Sequence, residues 1–365
     1  MIGSLIASVV WDAAKAGAGR RFRRFASRLV SRADKMRRAM PTEMMVVGNS
    51  TVPWIVCAFG PYHPDDVKAV YNKSPIPMPA AVEGRYEEAK REVKRRESRG
   101  ESVPFNGLGY QLERFSTVGR AGDEERPVLT MAFRPTDYFR MLVTDQRLDD
   151  EIIIDGQVTT LRRHYAQRTD LKVTPVPEFA THFGVGLAIV TRDQRLVISE
   201  RGHTAVDSFV LFPSVAEGSS RPVDGGDKGG ADPYRTAVRG VAEEMGIEVE
   251  RDDVRFLSFG VNVHLCEYAL LGVIEVPQSE REILEIRSLG IPKDQWENRR
   301  LHFVDFNPKA VAGFATTSNL RWSPFAVATF IHALVDRHGH ESTLQAFRNV
   351  TLRLSQEVPP GYGQA

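Results

Sequence analysis

The stretch Asp232–Ile247, DPYRTAVRGVAEEMGI, carries both ends of a helix in its own letters. Asp232 can accept hydrogen bonds from the free N–H groups of a first turn, and Pro233 suits the first helical position, where its missing N–H is not needed. Gly246 follows the last periodic residue and suits a left-handed stop. Val238, Val241, Ala242 and Met245 recur at three- and four-residue spacing and predict the apolar face. Positions 240, 243 and 244 lie together on another face. Glu243 and Glu244 are therefore expected to project side by side from the last full turn, with Arg239 four residues before Glu243 and able to pair with it. Two carboxylates on a rigid helix can hold a hard cation such as Mg²⁺. A solvated acidic helix end satisfies the same letters.

Strand-like runs flank this helix. Val185–Thr191 and Arg195–Ser199, separated by the polar Arg192-Asp193-Gln194, predict a hairpin. Val254–Val263, Tyr268–Val276 and a run within Trp296–Phe306 predict further strands, and Pro324–Val335 predicts an apolar helix starting near Ser323.

Arg239–Ile247, RGVAEEMGI, resembles the second half of the Nudix box, R-E-U-x-E-E-x-G-U with U aliphatic. Every specified position matches except Gly240, where the family carries a metal-binding glutamate. Glycine inside a helix costs about 1 kcal/mol relative to alanine, so helix stability does not account for it. In the first half of the box, counting back from Arg239 sets Gly225 on the glycine and Ala231 on the glutamate. Alternatively, Pro213–Gly218, PSVAEG, resembles the loop leading into the box. Ser219–Gly230 is then an insertion and Glu217 a replacement ligand.

The resemblance spans roughly residues 180–340. It implies an α+β fold: a Nudix-type α/β/α sandwich with a mixed sheet, preceded by an N-terminal α/β region. It also implies hydrolysis of a nucleoside diphosphate linked to another moiety. Mg or Mn would neutralise phosphate charge and activate the water. By correspondence, Glu243 and Glu244 are metal ligands, one of them acting with the attacking water, and Arg239 orients them. Glu267 and Glu297 are candidates for a further ligand or base, and His203 and His264 are left unassigned. The gap at Gly240 predicts metal binding that is weak without substrate and tightened by Gly240→Glu. The alternative is a catalytically impaired Nudix-fold module that binds a ligand or regulates.

The remaining chain sets the boundaries. Its 365 residues accommodate two or three domains. A net charge of +1 gives no whole-chain signal for nucleic acid. Cys57 and Cys266 stand far apart without metal spacing, which points to buried thiols in a reducing, cytoplasmic setting. Residues 1–40 read as a basic amphipathic helical segment. Within Arg20–Arg38, nine Lys/Arg surround an apolar stripe, a pattern suited to an anionic membrane surface, nucleic acid, a protein partner or docking on its own fold. A peripheral membrane protein built around this segment is a third functional class. Residues 41–175 read as an α/β region of unassigned role, 180–340 as the Nudix-like domain and 341–365 as a C-terminal tail.

Overall fold

The computed structural model describes residues 44–355 except 102, 104–105, 119–126, 180–181, 202–208 and 227–228. The basic segment expected over residues 1–40 lies outside them, as does His203.

The chain is mixed α+β. It opens with β1 (Met45–Val47) paired to β2 (Ser50–Val52), followed by β3 (Trp54–Tyr62) and β4 (Val67–Tyr71). The charged helix α1 (Ala80–Ser98) buries only Val82. β5 (Leu108–Val118) and β6 (Val128–Asp137) join β4 in a three-stranded sheet. Asp137 then caps the short helix α2 (Tyr138–Val143), accepting from the Arg140 N–H at 3.0 Å. β7 (Glu151–Ile154) pairs β8 (Gln157–Thr160).

The second half supplies most of a nine-stranded sheet. Its first strands are β9 (Gly184–Val190), β10 (Arg195–Arg201), β11 (Val210–Phe212) and β12 (Val215–Gly218). Helix α3 (Pro233–Met245) comes after them, then β13 (Arg255–Asn262) and β14 (Glu267–Glu275). Next come α4 (Glu280–Ser288), β15 (Arg300–Asp305), α5 (Pro308–Thr317) and β16 (Arg321–Trp322). Helices α6 (Pro324–His338) and α7 (His340–Phe347) close the described chain. The strand order is β16-β11-β10-β9-β14-β13-β3, with β12 on β9 and β15 on β10. β9 and β14 run parallel, as do β11 and β16, and the other pairs are antiparallel.

Alternation along β9 assigns the faces. Val185, Leu187 and Ile189 pack in one core with Tyr234, Ala237 and Val241 of α3. Ala188 and Val190 pack in another with Ala326, Phe330 and Leu334 of α6. Successive side chains of a strand point to opposite faces, so α3 and α6 cover opposite sides of the sheet.

The expected antiparallel pair of β9 and β10 forms across the Arg192–Gln194 turn, at Leu196↔Val190 alone, while β10 pairs mainly with β15 over six positions. Two sequence-based expectations change. Residues 41–175 are not separate from the second half of the chain, because β3 pairs with β13 from Trp54↔Asn262 to Tyr62↔Phe256 and is an edge strand of the same sheet. The segment after 340 is not simply a tail, since α7 buries Phe347 and the Leu354 backbone bridges to Trp322. Among the described residues no helix is long and apolar enough to cross a membrane.

Candidate functional site: an acidic corner between β12 and α3

Helix α3 begins and ends as its letters dictate. The Asp232 carboxylate accepts from the N–H groups of Tyr234 (3.0 Å) and Arg235 (3.3 Å), and Gly246 stops the helix at φ +70°. Its buried stripe is rotated from the one expected. Tyr234, Ala237, Val241 and Met245 face the core, while Val238 and Ala242 sit at the margin. The rotation turns Gly240 and Glu244 toward β12 as well.

Glu243 and Glu244 consequently do not project side by side. Glu244 is 1% exposed and both of its oxygens are engaged. Oε1 accepts from the Ala216 N–H at 3.0 Å; Oε2 accepts from Arg201 Nη2 at 2.6 Å and Asn298 Nδ2 at 3.0 Å. This carboxylate ties α3 to β12, to the end of β10 and to the segment before β15. Glu243 lies at the opening, where Oε2 is 2.7 Å from Arg239 Nη1 and Oε1 is 3.1 Å from the exposed Lys293. Burial opposes its ionisation, but those two cations hold its pKa below the usual carboxylate value.

Arg239 gathers the corner. Its Nη1 also lies 3.2 Å from Glu217 Oε1, its Nη2 donates to the Gly218 carbonyl at 2.9 Å, and its Nε and Nη2 grip Asp224 at 2.9 and 2.7 Å. The bidentate fork suits a guanidinium facing a carboxylate. Burial lowers the Arg239 pKa, but Asp224, Glu217 and Glu243 outweigh it and the net direction is up. Asp224 is itself buried and also accepts from the Ser220 N–H at 2.7 Å. Sequence reasoning missed Asp224. It lies inside the Ser219–Gly230 run, which folds back on itself through the Gly225↔Ala231 bridge. An acid within a glycine-rich loop just before a helix was its one available signal.

Gly240 has a spatial explanation. A Cβ at this position would stand 2.9 Å from Glu217 Cβ, 2.9 Å from Val215 Cγ1 and 3.1 Å from Glu217 Cγ. Real Cβ atoms rarely approach that closely, so the β12 glutamate occupies the room that a side chain at position 240 would need. A carboxylate absent from the helix is supplied by the strand beside it.

Glu297 completes the group, with Oε2 3.1 Å from Arg201 Nη1. Five carboxylates (Glu217, Asp224, Glu243, Glu244 and Glu297) thus meet two largely buried guanidiniums, Arg201 and Arg239, with Lys293 at the rim. Burial pushes Glu217 up to about 8; Arg239 opposes this, while Glu244, Glu297 and Glu243 add to it. Burial likewise pushes Glu297 up to about 7, with Arg201 opposing and Glu244, Asp294 and Glu243 adding. Glu267 is not part of the corner. It begins β14, and burial alone raises it to about 7. His264 is held elsewhere, its carbonyl accepting from Arg162 and its N–H donating to Asn262. Among the described residues no group of three or more His, Cys, Asp or Glu side chains stands ready to hold a metal ion.

Neither a scan of protein-family models nor a search of curated proteins finds a match to this chain.

Proposed function

We propose that the chain is a Nudix-like hydrolase of a nucleoside diphosphate linked to another moiety, built on a Nudix-type α/β/α sandwich and assisted by Mg²⁺ or Mn²⁺. The observation that carries this reading is the charge imbalance at the corner, where five carboxylates crowd two guanidiniums. Perturbed carboxylates gathered at one place are costly to fold and cluster at functional sites.

The donor set fits a hard divalent cation in part. Glu217, Glu243 and Glu297 are the residues that would hold it, since each is incompletely buried and Glu217 and Glu297 have raised pKa values. Glu244, engaged in three hydrogen bonds, is the least available of these carboxylates, and on this reading its part is to fix α3 on β12 and β10. When bound, the cation would neutralise phosphate charge and lower the pKa of an attacking water. Arg239 holds Glu217 and Glu243 on one guanidinium nitrogen and so sets their separation. Glu217, pushed up to about 8 mainly by burial, is mostly protonated at neutral pH, so a bound cation would displace that proton. Because no three donors are already arranged among the described residues, cation binding is expected to be weak until substrate phosphates supply further oxygens.

A second reading, a ligand-binding or regulatory module without turnover, is favoured by the full engagement of Glu244. The deciding experiment is calorimetric titration of the full chain with Mn²⁺, with and without a non-hydrolysable diphosphate, alongside a screen of nucleoside diphosphate derivatives for released products. The hydrolase reading expects binding that strengthens with the analogue and is lost in both Glu217→Gln and Glu243→Gln. Ligand binding that needs no metal and yields no product would support the module instead.

A further inference from the structure

An open groove of about 510 Å³ lies between α4, β15 and α5. A groove of this volume can hold a small molecule. Three arginines line it: Arg287 from α4, and Arg299 and Arg300 at the start of β15. Among the described residues none of the three is paired with a carboxylate. Arg287 is steered instead by backbone, its Nη2 donating to the carbonyls of Gln295 (3.0 Å) and Asn298, while its buried Nη1 has no partner among the described residues. Arg299 lies over the Phe209 ring, its guanidinium carbon 3.8 Å from the ring centre.

The groove's own acid does not cancel this charge. Glu280 is committed to Arg195 at 3.2 Å, and the lining His302 is taken by Glu200 at 2.6 Å. The walls also carry the partly exposed rings of Phe303 and Phe314. The combination is two exposed guanidiniums with free donors, Arg299 and Arg300, and a half-buried third, Arg287, beside aromatic side chains. More than one positive charge in excess favours a dianion over a single carboxylate, and the guanidinium fork matches phosphate oxygens. The aromatic walls favour a ligand whose other end is a flat ring.

We propose that this groove binds a phosphate monoester of a small, ring-bearing molecule, with Arg287, Arg299 and Arg300 on the phosphate and Phe303 and Phe314 against the ring. The site stands on its own geometry and does not depend on hydrolysis at the acidic corner. It is nevertheless adjacent to that corner, because the Asn298 carbonyl orients Arg287 while its side-chain amide donates to Glu244.

The test is calorimetric titration of the full chain with adenosine monophosphate and, separately, with inorganic phosphate, in the wild type and in the Arg299→Gln/Arg300→Gln double variant. Both arginines are exposed and make no ion pair among the described residues, so the variant is expected to keep the wild-type thermal midpoint. The nucleotide is expected to bind the wild type, more weakly at high salt, and at least tenfold more weakly to the double variant. Inorganic phosphate is expected to bind more weakly than the nucleotide. The proposal is overturned if the nucleotide does not bind, if the double variant binds it as the wild type does, or if inorganic phosphate binds equally tightly. Mn²⁺ titration of the same samples separates the two sites. Absence of metal binding with intact nucleotide binding would remove the hydrolase reading and leave the groove in place.

Discussion

Helices α3 and α6 lie on opposite faces of one sheet and are held there by different physics. α6 is secured by packing: Ala326, Ala328, Phe330, Ala333 and Leu334 are each at most 1% exposed, and Phe330 sets its ring against Trp322. α3 buries apolar residues too, but its sheet-facing side also carries a glycine and a hydrogen-bonded glutamate, and its hold on β12 runs through Glu244 and Arg239. Packing is satisfied by any apolar surface of suitable shape. A buried carboxylate needs particular donors, and they come here from β10, β12 and the segment before β15. The face that stabilises and the face that offers chemistry are therefore distinguished by what their buried positions require.

The comparison breaks most sharply by substitution. Phe330→Ala on α6 should cost about 3–5 kcal/mol in a urea melt, because it removes a ring and leaves a cavity. It should leave Mn²⁺ affinity unchanged wherever the protein is folded. Glu244→Gln on α3 keeps shape but removes charge, leaving Arg201 against a neutral amide. We expect a loss of about 3 kcal/mol, again with unchanged metal affinity; a metal-specific loss without destabilisation would make Glu244 a ligand after all.

Gly240→Glu sharpens the contrast. From sequence alone it should restore a missing ligand and tighten metal binding. In the fold its Cβ collides with Val215 and Glu217, so we expect a destabilisation of about 1–3 kcal/mol and no tightening. Adding Glu217→Gly removes part of the collision. In a double-mutant cycle the pair should be more stable than the sum of the single effects.

The pH profile tests the same corner without a change of shape. Glu217 has a folded pKa of about 8, above its unfolded value of 4.5, so the folded state binds more protons between those limits. Its contribution to stability is fully present below pH 4.5 and is lost as pH rises through 8, with a slope of at most ~1.4 kcal/mol per pH unit. Urea midpoints should fall further between about pH 6 and pH 8.5 in the wild type than in Glu217→Gln. Saturating Mn²⁺ should flatten the wild-type profile, because a cation replaces the proton.

Local signals in the chain determined a good deal. Asp232, Pro233 and Gly246 specified the ends of α3, Ser323 and Pro324 the start of α6, and the apolar runs at 254–263 and 268–276 the pair β13 and β14. Capping, turn chemistry and periodicity act between residues a few positions apart, so they are written in consecutive letters. Tertiary structure alone decided that β3 belongs to the sheet of β13, which the chain reaches only after the whole of the three-stranded sheet. It also decided that Asp224 grips Arg239 alongside the expected Glu243, that Arg201 and Asn298 confine Glu244, and that Gly240 makes room for Glu217. A buried charge is defined by partners brought from distant segments. Which glutamate is a latch and which is available is therefore a property of the assembled corner, and the RGVAEEMGI string does not contain it.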